Sequence, residues 1–139
     1  MPGRPILLVH GAWHGAWCWS ALQAELDRRG VPSYAVDLPG HGASPLPLSD
    51  LYGDAKLVAD CLGNLGSDVV LVGHSYGGAV ITEAAAAAPN VTRLVYLTAF
   101  TPDTGESVTS LLRSLPSVPS ALGRAIQSLD DGTSVLAGN

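Results

Sequence analysis

Ser75 sits in Gly73-His74-Ser75-Tyr76-Gly77, a G-x-S-x-G run between the aliphatic stretch Val69-Val70-Leu71-Val72 and an alanine-rich segment. A serine on so sharp a strand-to-helix turn is held in a strained conformation with its hydroxyl above the strand ends, which suits nucleophilic attack on a carbonyl. Positions 73 and 77 must then be glycine so that neighbouring backbone and helix can approach. The helix opens at Tyr76, and its free N–H groups and positive dipole end face any oxyanion that develops. The same residues could instead form a plain tight turn or a phosphate-binding loop. A dinucleotide fingerprint, however, places its glycines after the first strand, where this chain has His10-Gly11-Ala12-Trp13, and no Gly-Lys-Ser or Gly-Lys-Thr is present for a Walker loop.

Attack on a carbonyl needs a second backbone donor facing the elbow, and His10-Gly11-Ala12-Trp13-His14-Gly15 supplies a candidate loop after an earlier strand. The N–H groups of Ala12 and Tyr76 are the expected oxyanion pair. His10 and His14 read as loop-shaping residues that bond nearby backbone rather than as metal ligands. Trp13 is the candidate substrate-pocket residue, whereas Trp17 and Trp19, at a helix start, read as core. Asp37-Leu38-Pro39-Gly40-His41-Gly42 offers an acid and a base, but they precede the serine, so His41 and Asp37 read as structural.

These loops need strands and helices to hold them. Ile6-Leu7-Leu8-Val9 reads as a first buried strand, followed from about Trp17 by a helix with Ala21, Leu22 and Leu26 at helical spacing and a stop at Gly30. Residues 34–38 give a second strand, and Ser49 or Asp50 can cap a helix whose Leu51, Ala55, Val58, Leu62 and Leu65 share one stripe. Residues 69–72 form the third strand, a helix follows to about Ala88, and residues 94–97 form the fourth strand. Right-handed crossovers then imply that consecutive strands pair in parallel, with helices on both faces. The fold class is α/β, an open four-stranded parallel sheet. Residues 1–102 make this core; residues 103–139 begin a second subregion with a hairpin turn at Asp130-Asp131-Gly132.

Of the 139 residues, 47% are apolar and 14% charged, which is ample for one buried core. A net charge of −5 with no basic cluster argues against nucleic acid as a partner. Cys18 and Cys61 lack metal-ligand spacing and read as reduced core residues, and neither a cofactor nor a metal is expected. With no signal-like or membrane-length apolar run, a cytoplasmic protein that does not engage a membrane is expected.

Together the motifs resemble the α/β-hydrolase superfamily, and more narrowly the plant methylesterase and hydroxynitrile lyase group with its bacterial relatives. The resemblance covers about residues 5–105. It rests on Leu8 to Trp17, on Asp37-Leu38-Pro39-Gly40-His41-Gly42, on Val70 to Gly78 and on Leu97-Thr98-Ala99-Phe100-Thr101-Pro102-Asp103. It implies Ser75 as nucleophile with Ala12 and Tyr76 holding the oxyanion, and a small-molecule ester as substrate. The group's lyases carry a hydroxyl residue just after the first histidine, where this chain has Gly11, which tilts the expectation toward ester hydrolysis.

The chain departs from the family in one respect. His10, His14, His41 and His74 all precede Ser75, and none follows it. A triad in the order serine, acid, histidine is therefore not completed, and a partial α/β-hydrolase fold truncated in its lid (cap) is expected. The fourth strand would then be an exposed apolar edge, open to self-association or to a partner. Two further readings stand beside the esterase: a non-catalytic binding or assembly module, and a lyase or cofactor-free haloperoxidase on the same fold.

Overall fold

In a computed structural model, which describes residues 3–66 and 68–137, the unbroken aliphatic run near the N-terminus forms β1 (Ile6–Val9), an interior strand of a four-stranded parallel sheet. The other strands are β2 (Ser33–Ala35), β3 (Val69–His74) and β4 (Val91–Leu97), in the order β2-β1-β3-β4. Side chains alternate across a strand. Leu7, Val9 and Leu71 accordingly enter the main core with Val58, Leu62, Val80 and Ile81, while Leu8 and Val72 face Trp19 on the other side.

This order corrects the expectation that consecutive strands pair throughout. β3 pairs with β1, in register Leu8↔Val72 and Val9↔Gly73, and not with β2. The chain builds outward from β1 in one direction to β2 and in the other to β3 and β4. That reversal opens a crevice beyond the carboxyl ends of β1 and β3, where ligands bind in open α/β sheets. The two loops singled out in the sequence leave the sheet there.

The helices follow from local signals. A 3-10 turn at Ala16–Trp19 leads into α1 (Ser20–Arg28). Asp50 caps α2 (Leu51–Leu65) by accepting from Gly53 N at 2.9 Å, and Gly66 ends it in the left-handed conformation with φ 66°. The third helix, α3 (Tyr76–Ala85), stops short of Ala88: Ala86, Ala87 and Ala88 bond three residues back rather than four. Alanine favours helix but does not by itself hold the last turn.

Several sequence expectations need correction. Trp17 is 63% exposed and lies on the His14 ring at 5.5 Å, while Trp19 takes the core position. Within a short 3-10 turn only one of the two indoles can face the sheet. β2 ends at Ala35, because Val36 and Leu38 are buried beyond the ladder instead of extending it. β3 and β4 are longer than the aliphatic runs that mark them, since the ladder also pairs Gly73 with Tyr96 and reaches back to Val91 across a bulge at Thr92.

After β4 the chain forms α4 (Val108–Ser114), α5 (Ala121–Ala125) and an antiparallel hairpin of β5 (Ile126–Ser128) with β6 (Ser134–Leu136). The hairpin matches the sequence reading. The short helices lacked apolar periodicity, and each is set by a serine cap, Ser107 or Ser120. Among the described residues no strand pairs with the outer edge of β4, where Leu94, Val95 and Leu97 are 36–47% exposed. Cys18 and Cys61 are free, half-buried thiols, and no described helix is long and apolar enough to cross a membrane.

Candidate active site

Ser75 joins β3 to α3 with φ 54° and ψ −122°, a conformation that a non-glycine residue adopts only under constraint. Two close glycine contacts and two hydrogen bonds surround it. A Cβ at Gly73 would lie 2.5 Å from Gly77 O, and one at Gly77 would lie 2.5 Å from Val9 O, so strand, elbow and helix are pressed together at glycines. The Ser75 carbonyl accepts from Gly78 N at 3.0 Å and from Phe100 N at 3.1 Å, which ties the elbow to the chain leaving β4. Trp13 (φ 63°) and Thr98 (φ 42°) are the other described non-glycine residues with positive φ. All three lie just past the carboxyl ends of β1, β3 and β4. Such strain concentrates where function requires a fixed backbone.

Gly11 lies directly against Ser75 and His74. From there the chain makes a tight turn in which His14 N donates to Gly11 O at 3.4 Å and the left-handed Trp13 reverses the direction of the backbone. The His14 Nδ1–H donates to Ala12 O at 2.8 Å, fixing the plane of the Ala12–Trp13 peptide. Ala12 and Tyr76 are thus the next residues in chain after two that touch across the crevice. Neither N–H donates to another group among the described residues. For Tyr76 this follows from helix geometry, since the first N–H of a helix has no carbonyl one turn earlier.

The histidines build the walls. His10 is fully buried; Leu38 N donates to its Nε2 at 3.1 Å, so the ring proton lies on Nδ1 and is donated to Gly11 O at 2.7 Å. Burial pushes its pKa below the ordinary value of 6.5 and favours the neutral ring that this pattern needs. His41 donates from Nδ1 to Pro39 O at 3.0 Å and sits 5.1 Å, ring to ring, from His10. His74 is edge-on to His14 and Trp19, and burial lowers its pKa as well. No hydrogen bond joins an imidazole to Ser75 among the described residues. Asp37 accepts from Ala16 N at 2.8 Å and so anchors the loop after β1, in the structural role read for it.

The Trp13 indole N–H donates to both Ser134 O and Ser134 Oγ at 3.2 Å, which docks the β5–β6 hairpin onto the loop that carries Ala12. Trp13, His14, His41, Leu48, Val135 and Leu136 line a cavity of about 480 Å³ beneath the hairpin. The sequence reading missed Asp54 altogether. This residue is 2% exposed on α2, and its Oδ2 accepts from the Tyr76 hydroxyl at 2.7 Å. A charge inside the apolar stripe of α2 was the available signal. Among the described residues no group of three His, Cys, Asp or Glu side chains is placed to hold a metal ion.

Comparison with known proteins agrees with this architecture. A sequence model of the alpha/beta hydrolase family matches residues 6–137. The chain is 40% identical over 121 residues to a carbendazim hydrolyzing esterase from Nocardioides sp. (strain SG-4G), covering 83% of this chain and 50% of that protein. It is 37% identical over 125 residues to an alpha-hydroxynitrile lyase of Arabidopsis thaliana, covering 84% of this chain and 48% of the lyase. Among solved structures, a pyrethroid hydrolase from Sphingobium faniae JZ-2 superposes with a TM-score of 0.76 at 32% identity, over 93% of this chain and 53% of that one. The chain spans about half the length of the curated relatives it matches.

Proposed function

Because the chain belongs to the alpha/beta hydrolase family, within the group of the plant methylesterases, we propose that it is a carboxylic ester hydrolase acting through an acyl-enzyme on Ser75. The observation that carries this reading is the left-handed Ser75, held against Gly11 at the carboxyl ends of β3 and β1. Ser75 Oγ attacks the ester carbonyl carbon, and the negative charge that forms on the carbonyl oxygen is taken by the N–H groups of Ala12 and Tyr76. Collapse of the tetrahedral adduct breaks the bond to the alcohol oxygen, which leaves with a proton. Water then releases the acid. Trp13, beside the hairpin, borders the space for the substrate.

In this fold the acid and the histidine follow the serine, and no histidine follows Ser75 in this chain. His10, His14 and His41 each give a ring N–H to backbone, and His74 packs against rings, which supports structural roles for all four. Without an imidazole to take the serine proton, turnover falls by on the order of a millionfold in a serine protease. The chain by itself is therefore expected to acylate slowly and to turn over little. With p-nitrophenyl esters of short acids, it should release nitrophenolate at most stoichiometrically, and the release should vanish in Ser75→Ala. Equal release by Ser75→Ala would refute the reading.

The engagement of all four histidines with backbone or with other rings, rather than with Ser75, favours a second reading, in which this half-fold serves as a binding or assembly module. Absence of any Ser75-dependent acylation, together with tight capture of an intact ester, would favour it. Gly11 stands where the group's lyases carry a hydroxyl residue, which weighs against a lyase.

A further inference from the structure

A buried carboxylate needs a reason. Asp54 lies three residues after Leu51 and four before Val58, among the buried positions of α2 with Ala55 and Leu62, where the helix meets the core. An apolar side chain would suit that face, since burying a carboxyl is unfavourable unless hydrogen bonds compensate. Burial pushes the Asp54 pKa up, against the opposing effect of its bond to Tyr76. Among the described residues the carboxylate has one hydrogen-bonding partner, the Tyr76 hydroxyl on Oδ2, and Oδ1 has none.

Tyr76 follows the strained Ser75, opens α3 and packs its ring on the main core. Its backbone N–H is the candidate oxyanion donor. The next residue, Gly77, is pinned against Val9 O and His10 O, and Gly78 is pinned against Phe100 O. The peptide that carries the Tyr76 N–H is thus clamped on its helical side by glycine contacts and on its side-chain side by the bond to Asp54. We propose that Asp54 is a positioning residue: by accepting from the Tyr76 hydroxyl it holds the first residue of α3, and hence the Tyr76 N–H, in line with the oxyanion formed at Ser75. The proposal rests on the reading of Ser75 as nucleophile and adds the group that aims one of its donors.

The test uses Tyr76→Phe, Asp54→Leu and Asp54→Asn in the whole chain, with two readouts. The first is the rate of Ser75 phosphonylation by an alkyl fluorophosphonate, resolved into a limiting rate and a half-saturating concentration and corrected for the folded fraction. Tyr76→Phe and Asp54→Leu should lower the limiting rate by roughly ten- to hundredfold, the scale of a slightly misplaced group, with little change in half-saturation. Asp54→Asn keeps an oxygen that accepts from the tyrosine hydroxyl and should restore most of the rate. The second readout is the Tyr76 amide resonance in ¹H–¹⁵N spectra, which should shift in Tyr76→Phe and Asp54→Leu and stay close to wild type in Asp54→Asn. Rates that follow only the folded fraction, or a Tyr76 amide indifferent to Asp54→Leu, would overturn the proposal. A wild-type chain that takes no label at Ser75 would instead overturn the nucleophile reading, and the amide spectra would still decide the role of Asp54.

Discussion

A Cβ placed on Gly11 would lie 2.9 Å from the Cβ of Ser75, closer than non-bonded carbon atoms of folded chains approach. The loop after β1 and the elbow after β3 therefore meet at a point that admits only glycine without displacement. Gly11→Ala should separate the two loops by a few tenths of an ångström and lower the rate of Ser75 phosphonylation about tenfold. The urea midpoint should change little, because the loops can relax into the open crevice. An unchanged labelling rate would mean that the contact does not set the geometry of the site.

Ser75 holds a conformation in which glycine is comfortable and serine is not. Replacing it by glycine should remove both the nucleophile and the strain. Ser75→Gly is expected to be more stable than Ser75→Ala by about 1 kcal/mol in urea titrations, since alanine retains the strained backbone without the hydroxyl. Equal stability of the two variants would show that the elbow is not strained.

His10 predicts the acid sensitivity of the fold. Its folded pKa lies below the unfolded value of about 6.5, so the unfolded chain binds the proton more readily. Its contribution is fully present above pH 6.5 and is lost as pH falls below that value toward the folded pKa. His74 shifts in the same direction; Asp54, raised by burial, acts oppositely in the carboxylate range. Comparing wild type with His10→Gln isolates the effect. The variant should be less stable by about 1–3 kcal/mol at pH 7.5, having lost buried hydrogen bonds at Gly11 and Leu38, and should lose less further stability between pH 7.5 and 5. A parallel pH dependence in both proteins would assign the acid sensitivity elsewhere.

Among the described residues no strand pairs with the outer edge of β4, which is flanked by exposed Leu94, Val95 and Leu97. We expect concentration-dependent self-association through this edge, and Val95→Lys should suppress it in sedimentation velocity runs while leaving the circular dichroism spectrum unchanged. Association that Val95→Lys does not alter would place the contact on another surface.

Much of this architecture was legible in the sequence because the signals are local. Aliphatic runs marked β1 and β3, Ser49 or Asp50 marked the start of α2, and the glycines at 73 and 77 marked the elbow. The strand order was not legible in that way. Whether β3 joins β2 or crosses to the far side of β1 depends on which faces α2 and α3 cover, a tertiary matter that periodicity does not report. Trp17 and Trp19 have the same chemistry and nearly the same position, so only the turn geometry separates the exposed ring from the buried one. Asp54 drew no attention in the sequence, because its burial is matched by the hydroxyl of Tyr76, which is 22 residues away. The bond from Trp13 to Ser134 spans 121 residues and has no local signal at all.

The measurement closest to the central claim is labelling of the folded chain with a fluorophosphonate, followed by peptide mass mapping. The account predicts a single phosphonyl adduct on the peptide bearing Ser75, lost in Ser75→Ala and lost on unfolding in urea. An adduct spread over other serines, equal in folded and unfolded chain, or none on Ser75, would contradict it.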